Sequence, residues 1–532
     1  MTKLTGLQYS MLDGPIIRYR RAADGQTVHV NLPQLFVALA GDEVRDYPAL
    51  RPHQRHPWHA FLVQLAAIAL HKAERTTAFE TAEQWRDALL ALTPDDPDGA
   101  AWCLVSPTYR PAFMQAPNPK WDQKNWDTEF TAPDELDMLG TSKNHDLKAS
   151  RAHLANAEDW LFALISLQTQ EGSNSGSHKG ISRMNSGSGS RSGFGVKPLG
   201  GVGNRWNRDT RLLEQVRPRI AEEHELKDTN GLALIWLEPW DGASSIPFSE
   251  LDPLYIEICR RVRIFERSGR LYARRAKTPI SRVDAASRKG VTGDPWMPID
   301  ISKGEEKSLS LQGSGFDYKL IYRIVFSGDY VKSAVQRAQS SDGDQLVFLA
   351  QGVARGNSKT EGFHERRIPI SPKFRGLLLS GRGDVVAQIA AHRIAAIDGV
   401  RTILWSALAT LFSNGKGNNN KETKAKANRF SSPFESAEDG RFFDDLNMEI
   451  EAEDASAQRL QWLLRLVDRA EGVLRAAFDA GPRNGVQKYR AQSTALDRFH
   501  SGLRSEKFPI SELVNHYRQQ KMNRQEETLE HT

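Results

Sequence analysis

A stretch rich in glycine, serine and cations offers the clearest chemistry in this 532-residue sequence. Residues 172–203 contain ten glycines, eight serines and four cations, and they contain no carboxylate. Glycine lets backbone amides approach a ligand closely, while seryl hydroxyls and cations donate to phosphate oxygens. The stretch therefore predicts a surface that binds a polyanion. A flexible tether is the alternative that the same composition allows.

The residues around and within this stretch favour an ordered loop over a tether. Apolar residues recur at helical spacing around Trp160 and Leu164, which predicts an amphipathic helix leading into the loop. Ile181, Met184 and Phe194 are apolar side chains that a pure tether would not need. We expect them to anchor the loop to a core.

Familiar nucleotide-binding motifs do not account for the loop. Gly187, Gly189 and Gly193 have one residue too many for a dinucleotide fingerprint, and a predicted helix rather than a strand precedes them. The pattern GxxxxGK[ST] does not occur in the sequence. A nucleotide-hydrolysing enzyme is therefore not predicted.

Composition indicates a globular protein of two or three domains. Hydrophobic residues make up 39% and charged residues 26% of the chain, and no apolar run approaches the length needed to span a bilayer. No signal-peptide pattern opens the sequence, so a cytoplasmic location is expected. Cys103 and Cys259 are the only cysteines, which excludes a disulfide framework and a Cys-rich zinc site within the chain.

The modest net charge of +5 is concentrated in one segment. Residues 255–289 contain eleven Lys or Arg and only three acids. Apolar alternation on both sides of Ser268 and Gly269 predicts a β-hairpin whose cations lie on one face or along its rim. Such a density of cations indicates phosphate contacts, and a solvated strand face is the alternative.

A second glycine-containing loop follows predicted strands at 318–326 and 345–350. It runs from Gly352 to Gly362 and could place an amide or an amine against base edges. Its polar residues are Arg355, Asn357, Ser358, Lys359 and Thr360. A decorated hairpin tip is the alternative interpretation.

The C-terminal part is predicted to be helical, so the fold class is α+β. Helices at 384–412 and near 456–478, 485–503 and 510–524 indicate a four-helix bundle in a domain of residues 381–532, after a mixed domain of residues 1–380. A polar insert at 413–434 is expected to be disordered when free and to contact nucleic acid. Its cations include Lys416, Lys421, Lys424, Lys426 and Arg429.

Two histidine patterns raise the question of metal chemistry. His53, His56 and His59 are spaced by three residues, but a proline interrupts a regular helix there and no carboxylate accompanies them. His145 and Asp146 form a pair typical of metal-dependent phosphohydrolases, without a clear second set of ligands. A metal-dependent nuclease therefore remains only an alternative.

Several of these features together resemble the CasA family, the large subunit of the type I-E CRISPR Cascade complex. Residues 12–36 resemble the start of that family, and Pro-Ala-Phe-Met-Gln at 111–115 resembles its Pro-Phe-Met-Gln signature. The glycine-rich loop, the hairpin at 356–367 and the helical bundle follow in the family's order. The resemblance covers nearly the whole chain.

The resemblance implies a subunit that is not an enzyme and needs neither a cofactor nor a structural zinc. Its implied partners are guide RNA (crRNA), other Cascade subunits, double-stranded target DNA, the displaced single strand and the CRISPR helicase-nuclease, with no membrane. Such subunits recognise the protospacer-adjacent motif, help to open the strands into an R-loop and recruit the nuclease. An RNA-binding scaffold without DNA readout is the remaining alternative.

By this resemblance, the motif is read from the minor groove by a glycine-rich loop, a lysine finger and a hairpin wedge. The corresponding candidates are Lys179, Arg183, Asn185, Ser186, Gly187, Arg191, Asn357, Ser358, Lys359 and Thr360. The family's wedge glutamine is missing between Gly356 and Gly362. Candidates for backbone contact are Arg267, Arg270, Arg274, Arg275 and Lys277 in the basic hairpin, and Lys416, Lys421, Lys424 and Lys426 in the insert.

Overall fold

The structure is a computed structural model that describes residues 6–121, 123–137, 155–173, 176–185, 189–356, 359–417, 420–505 and 508–530. The chain divides into two compact units. The first unit is Met1–Phe316 with Gly328–Arg367, and the second is Asp317–Ser327 with Ile368–Thr532. Strands and helices mix in the first unit and helices dominate the second, which confirms the predicted α+β class.

The helices are α1 (Leu32–Ala40), α2 (Arg55–Lys72), α3 (Ala82–Ala91), α4 (Ala157–Gln170), α5 (Val202–His224), α6 (Tyr318–Val325), α7 (Pro372–Leu379), α8 (Gly383–Phe412), α9 (Lys421–Glu451), α10 (Ala455–Ala476), α11 (Gly485–Leu503) and α12 (Ser511–Glu530). The strands are β1 (Gln8–Ser10), β2 (Ile17–Arg21), β3 (Thr27–Val30), β4 (Val44–Asp46), β5 (Cys103–Val105), β6 (Thr128–Phe130), β7 (Gly193–Pro198), β8 (Leu232–Leu234), β9 (Ile246–Pro247), β10 (Leu251–Ile256), β11 (Arg261–Arg267), β12 (Arg270–Ala276), β13 (Val283–Asp284), β14 (Ile299–Asp300), β15 (Lys307–Ser308), β16 (Tyr330–Val331), β17 (Leu346–Gly356) and β18 (Lys359–Ile370).

Helix α2 is the centre of the first unit. Every side chain from Trp58 to Leu70 is buried, and the helix packs against α4, α5 and β10. Pro57 lies in its first turn, where a missing N–H costs no intrahelical hydrogen bond. The expectation that this proline interrupts the helix was therefore wrong.

Two three-stranded sheets of the first unit carry the predicted loops. One has the order β11-β12-β6, and its β11–β12 turn at Ser268 and Gly269 has positive φ at both residues, as the predicted hairpin requires. The other has the order β18-β17-β7, in which Gln351 of β17 pairs antiparallel with Gly193 of β7. Strand β7 lies near the end of the glycine-rich stretch of residues 172–203, so this sheet holds that end of it.

The second unit is built around α8, which packs against α9, α10 and α11. The four helices that the sequence predicts are present as α8, α10, α11 and α12. An 18-residue stretch of α8 is apolar enough to cross a membrane, and half of it is buried inside the protein. A core helix of a helical bundle has this same property, so the stretch is weak evidence for a membrane span.

Two segments of the second unit differ from the sequence-based expectation. Residues 318–325 form α6 rather than a strand, because Asp317 caps the helix by accepting from Leu320 N at 2.8 Å. The buried residues Ile321 and Ile324 recur at three-residue spacing, which suits a helix. The predicted strand at 318–326 was therefore wrong.

The polar insert also differs, because most of it belongs to helix α9. Asn420 caps this helix by accepting from Thr423 N at 2.8 Å. Thr423, Ala427 and Ser431 are buried at four-residue spacing, so one narrow face of the polar segment packs on the core. The expectation of disorder was wrong for residues 421–434.

Candidate nucleic-acid interface

The glycine-rich loop is held to the first unit by its backbone. Ile181 N donates to the carbonyl oxygen of Glu171 at 3.1 Å, and Arg191 N donates to that of Gln170 at 3.0 Å. The predicted anchors Ile181, Met184 and Phe194 are all buried. The described parts of this loop are therefore ordered, which is not the behaviour of a tether.

Close packing explains two of the loop's glycines. A side chain at Gly180 would collide with the backbone of Gly172, and one at Gly193 would collide with the imidazole ring of His56. Both glycines permit close approach within the protein, a role distinct from flexibility. The sequence suggested that the loop's glycines expose amides to a ligand, but Gly180 and Gly193 instead allow close packing inside the protein.

Two cations of the loop point into the protein. Arg183 Nη2 donates to the carbonyl oxygen of Tyr255 at 2.7 Å, and the guanidinium lies over the Tyr255 ring. Arg191 forms a two-pronged ion pair with Asp294 at 2.5 and 2.8 Å. Each arginine is 2% exposed. In this structure they anchor the loop to buried residues of the first unit, whereas the sequence suggested that they contact DNA.

The charges beneath the loop titrate far from their usual ranges. Burial raises the pKa of Glu257 to about 7, although Ser182 donates to it from N and Oγ at 2.6 and 2.9 Å. Burial also opposes ionisation of Asp294, but Arg191 and Arg183 outweigh that effect and lower its pKa to about 2. The loop therefore rests on a buried set of polar and charged groups.

Two buried glutamines position the basic hairpin. Gln115 Nε2 donates to the carbonyl oxygen of Leu104 at 2.9 Å, while its Oε1 accepts from Ile264 N at 2.6 Å. Gln168 Oε1 accepts from Arg260 N at 2.8 Å. The motif at 111–115 thus holds strand β11 in place through its glutamine. The motif itself is an internal anchor, as the burial of Phe113 shows.

The basic hairpin is joined directly to the glycine-rich loop. Lys179 N donates to the carbonyl oxygen of Thr278 at 2.9 Å, and Thr278 N donates to that of Ser177 at 2.8 Å. Arg260 donates to the carbonyl oxygens of Lys179 and Gly172. The backbone of Lys179 therefore lies beside the end of β12.

The second hairpin is joined to the other end of the loop. Ser190 Oγ donates to the carbonyl oxygen of Val353 at 2.6 Å, and Val353 N donates back to the same hydroxyl at 3.2 Å. Gly352 packs so closely on Ser192 that a side chain would meet its hydroxyl at 2.9 Å. Three segments distant in sequence therefore meet in one unit.

The second predicted loop is shorter than expected. Gly352 and Gly356 belong to β17 and Gly362 belongs to β18, so the strands run almost to the tip. Lys359 and Thr360 begin β18. Four candidate contacts lie outside the described residues: Ser186, Gly187, Asn357 and Ser358. Asn185 is half-buried at the end of the described part of the loop.

Cations of the basic hairpin differ in whether they are exposed and free to contact a phosphate. Arg267, Arg270 and Lys277 are exposed. Arg274 forms an ion pair with Glu129 at 2.9 Å, and Arg275 lies over the Phe130 ring at 5.0 Å. Arg270 and Lys277 are therefore available to phosphates, while Arg274 and Arg275 have partners on β6. Arg267 is exposed but also lies 3.8 Å from Glu129 of β6 and over the Tyr272 ring.

Electrostatics at the junction between loop and hairpin favour an anion. Burial and the nearby Arg275 guanidinium lower the pKa of His178 to about 4, and Lys277 acts in the same direction. His178 is therefore neutral near pH 7, mainly because burial disfavours its charged form, and the positive potential of the surrounding cations adds to this effect. A phosphate would relieve that potential.

The helical unit presents its own exposed cations. Lys416 precedes α9, and Lys421 and Lys424 lie exposed in its first turn. Lys426 is also exposed but forms an ion pair with Glu422 at 2.9 Å. Lys421, Lys424 and Lys426 are therefore carried on a helix, where their spacing is fixed.

The histidine candidates do not gather around one point. His53 Nε2 lies 2.8 Å from Asp137 Oδ2, while His59 Nε2 lies 2.8 Å from Asp209 Oδ2. Within the part of the chain that the structure describes, no three His, Cys, Asp or Glu side chains form a metal-binding group. His145 and Asp146 lie outside the described residues.

Comparisons with known proteins agree with this architecture. The family model for CRISPR-associated protein Cse1 matches residues 11–472. The crystal structure of Cse1 from Acidimicrobium ferrooxidans is similar with a TM-score of 0.63 at 15% identity, covering 93% of this chain and 98% of that one. Thermus thermophilus CasA (Cse1) gives a TM-score of 0.59 at 14% identity, covering 93% and 99%.

A third similar structure is Thermobifida fusca Cse1, with a TM-score of 0.58 at 13% identity, covering 95% of this chain and 98% of that one. No curated protein sequence gives a significant match. At these identities the structures establish a shared fold, and the family model extends over most of the sequence. The chain belongs to the CRISPR-associated Cse1 family.

Proposed function

We propose that this protein is the large, non-catalytic subunit of a type I-E Cascade complex and reads the protospacer-adjacent motif in duplex DNA. Membership of the Cse1 family supports the role in Cascade. The single observation that carries the DNA-reading role is the meeting of the glycine-rich loop with both hairpins. That junction gathers donors and cations from three distant segments, which suits a ligand that carries phosphates and base edges.

The proposed division of labour follows from the chemistry of each part. Guide RNA pairs with the long target sequence, so the protein needs to read only a few base pairs and the backbone. The loop around Asn185 and the tip at 357–358 supply short polar groups for the minor groove, whose code is degenerate. Arg267, Arg270 and Lys277 contact phosphates and fix the register without reading sequence.

Strand opening follows if the hairpin tip enters the duplex. Strands β17 and β18 are long and paired, so they can hold a tip rigidly against the base stack. Inserted side chains unstack base steps at a cost of about a few kcal/mol, which new contacts to the bent DNA offset. The exposed Lys416, Lys421 and Lys424 would then contact the displaced strand. After strand opening, the complex would recruit the helicase-nuclease in the cytoplasm.

A reconstitution experiment tests this proposal. A guide complex would be assembled with and without the chain, and its affinity measured for one matched target with several flanking sequences. We expect the chain to make affinity depend on the flank. An equal gain of affinity for every flank would instead identify a clamp or an RNA-binding scaffold and would contradict motif reading.

A further inference from the structure

The first unit also contains a cationic cavity, which borders the sheet of β7, β17 and β18. It has a volume of about 370 Å³, and its walls come from α1, α2, α5, β2, β4, β7, β17 and β18. Six cations line it: Arg20, Arg45, Arg55, Lys197, Arg205 and Arg367. Asp46 is the only carboxylate among the described residues that line the cavity.

Neighbouring carboxylates offset only part of this charge. Asp46 pairs with Arg20 at 2.6 Å, and Glu365 pairs with Arg367 at 2.9 Å. Glu365 also lies 3.6 Å from Arg55. One carboxylate is therefore shared between two arginines at the mouth of the cavity, which leaves a net positive charge there.

The positive charge of Arg205 in the cavity wall is balanced by carboxylates even less fully. Arg205 is 7% exposed, and its Nε is buried without a hydrogen-bond partner. Its nearest carboxylate, Asp209, lies 3.6 Å away and is shared with Arg208 and His59. Leaving a buried donor unsatisfied is costly, so this position favours an acceptor supplied by a ligand.

Lys197 lies close to the same arginines. No carboxylate among the described residues lies within ion-pair distance of its Nζ. Burial and the neighbouring Arg205 and Arg367 lower the pKa of Lys197 to about 8. Like charges confined in a cavity repel one another, and a bound anion would remove that repulsion.

The remaining walls indicate what accompanies the anion. Trp58, Leu62 and Trp206 also line the cavity, so it has an apolar side as well as cationic residues. A cavity of this size holds a small molecule, because ligand pockets typically measure about 300–1,000 Å³. A free phosphate ion would leave the apolar side uncovered.

We propose that this cavity binds a small phosphorylated ligand of mononucleotide size, with its phosphate between Lys197 and Arg205 and its apolar body against Trp58 and Trp206. The site is independent of the proposed reading of duplex DNA. Lys197 and Arg205 form none of the hydrogen bonds that join the glycine-rich loop to the two hairpins.

Calorimetric titration of the full chain tests the proposal with three probes: adenosine monophosphate, inorganic phosphate and adenosine. We expect the monophosphate to bind more tightly than phosphate and adenosine not to bind. Lys197→Gln should weaken the monophosphate about tenfold, the usual effect of losing one charge-assisted contact. The exposed Lys72→Gln, which removes the same charge outside the cavity, should change the affinity less than about twofold.

A second readout follows the lysine itself. Carbon-13 NMR of reductively methylated protein would report the pKa of Lys197, assigned by the peak missing in Lys197→Gln. The monophosphate should raise that pKa towards its ordinary range, since the phosphate favours the charged form. Binding of adenosine as tight as that of the monophosphate, equal weakening in Lys72→Gln, or an unchanged Lys197 titration at saturation would overturn the proposal.

Discussion

Ser190 and Val353, which are 163 residues apart in sequence, exchange two hydrogen bonds: the hydroxyl donates to the carbonyl at 2.6 Å and accepts from the amide at 3.2 Å. Both residues are buried. The hydroxyl replaces a strand partner at the point where the glycine-rich loop meets β17. This side chain therefore links the loop to the hairpin that carries the tip, in addition to the β7–β17 strand pairing, and we expect the link to couple their movements.

Removing this hydroxyl should loosen the loop. Ser190→Ala leaves the amide and the carbonyl of Val353 without a partner, which costs about 1–3 kcal/mol. We expect faster amide hydrogen exchange in residues 176–192 and in β17, together with weaker dependence of DNA binding on the flanking bases. Ser501→Ala is the control, because Ser501 donates only within its own helix. Equal exchange in wild type and Ser190→Ala would argue against the coupling.

Two arginines of the basic segment should behave in opposite ways. Arg260 is fully buried and donates to loop carbonyls, so Arg260→Gln should destabilise the first unit by about 3–5 kcal/mol. Arg270 is exposed near the turn, so Arg270→Gln should change stability by less than about 0.5 kcal/mol. Thermal unfolding of the two variants measures the difference.

In folded protein, Arg270 should affect DNA binding more than Arg260 does, which is the reverse of their effects on stability. Arg270→Gln should weaken binding equally for all flanks and reduce the slope of log affinity against log salt by about 0.9 if one phosphate contact is lost. A flank-dependent loss in Arg270→Gln would show that this arginine reads bases. An unchanged salt slope would remove it from the interface.

The buried carboxyl of Glu257 should make stability depend on pH. Its pKa is raised from 4.5 to about 7, so the folded state holds the proton more tightly than the unfolded chain does. Its contribution to stability is complete below pH 4.5 and is lost as the pH rises to about 7. Glu257→Gln should therefore flatten the unfolding free energy between these values, by up to about 1.4 kcal/mol per pH unit.

Denaturant unfolding at several pH values measures this effect. Glu250→Gln is the control, since Glu250 is an exposed carboxyl. If Glu257→Gln retained the wild-type slope between pH 4.5 and 7, the buried carboxyl would not titrate in that window.

Two lysines in the first two turns of α9 should differ in their effect on the binding of single-stranded DNA. Lys424 is exposed and forms no ion pair with a described carboxylate, whereas Lys426 shares its charge with Glu422 at 2.9 Å. Lys424→Gln should therefore reduce the salt slope of single-strand binding by about 0.7, and Lys426→Gln should reduce it less. Equal slopes in both variants and wild type would exclude this helix from the path of the displaced strand.

Local patterns in the sequence predicted much of the fold. The alternation around Ser268 and Gly269 marked the β11–β12 hairpin, and the apolar residues Ile181, Met184 and Phe194 marked an ordered loop. These predictions succeeded because each depends on neighbours in sequence, whose side-chain directions follow directly from the backbone period.

Predictions that depended on distant partners fared less well. Arg183 and Arg191 were expected on the surface, because nothing near them in sequence shows that Tyr255 and Asp294 receive them. Gln115 was identified as part of a motif but was given no contact, because a glutamine beside apolar residues gives no sign that it will pair with Ile264. Tertiary contacts decide whether such polar side chains face ligand or core.

Helix α9 was missed for a different reason. Its buried residues are small or polar, such as Thr423, Ala427 and Ser431, so hydropathy gives almost no periodic signal. The useful signals were the capping residue Asn420 and the four-residue spacing of these side chains. A weakly apolar face is enough to hold a helix such as α9 in place when that face packs against a long apolar helix such as α8.

The most direct test of the central claim is a selection from targets with randomised flanking bases. Guide complexes would carry either the wild-type chain or a chain lacking residues 186–188, a deletion that spares Ser190. We expect the wild-type chain to enrich a small set of flanks, and the deletion to abolish this enrichment while the complex still assembles. Identical flank preferences in both complexes would contradict the claim that the glycine-rich loop reads the motif.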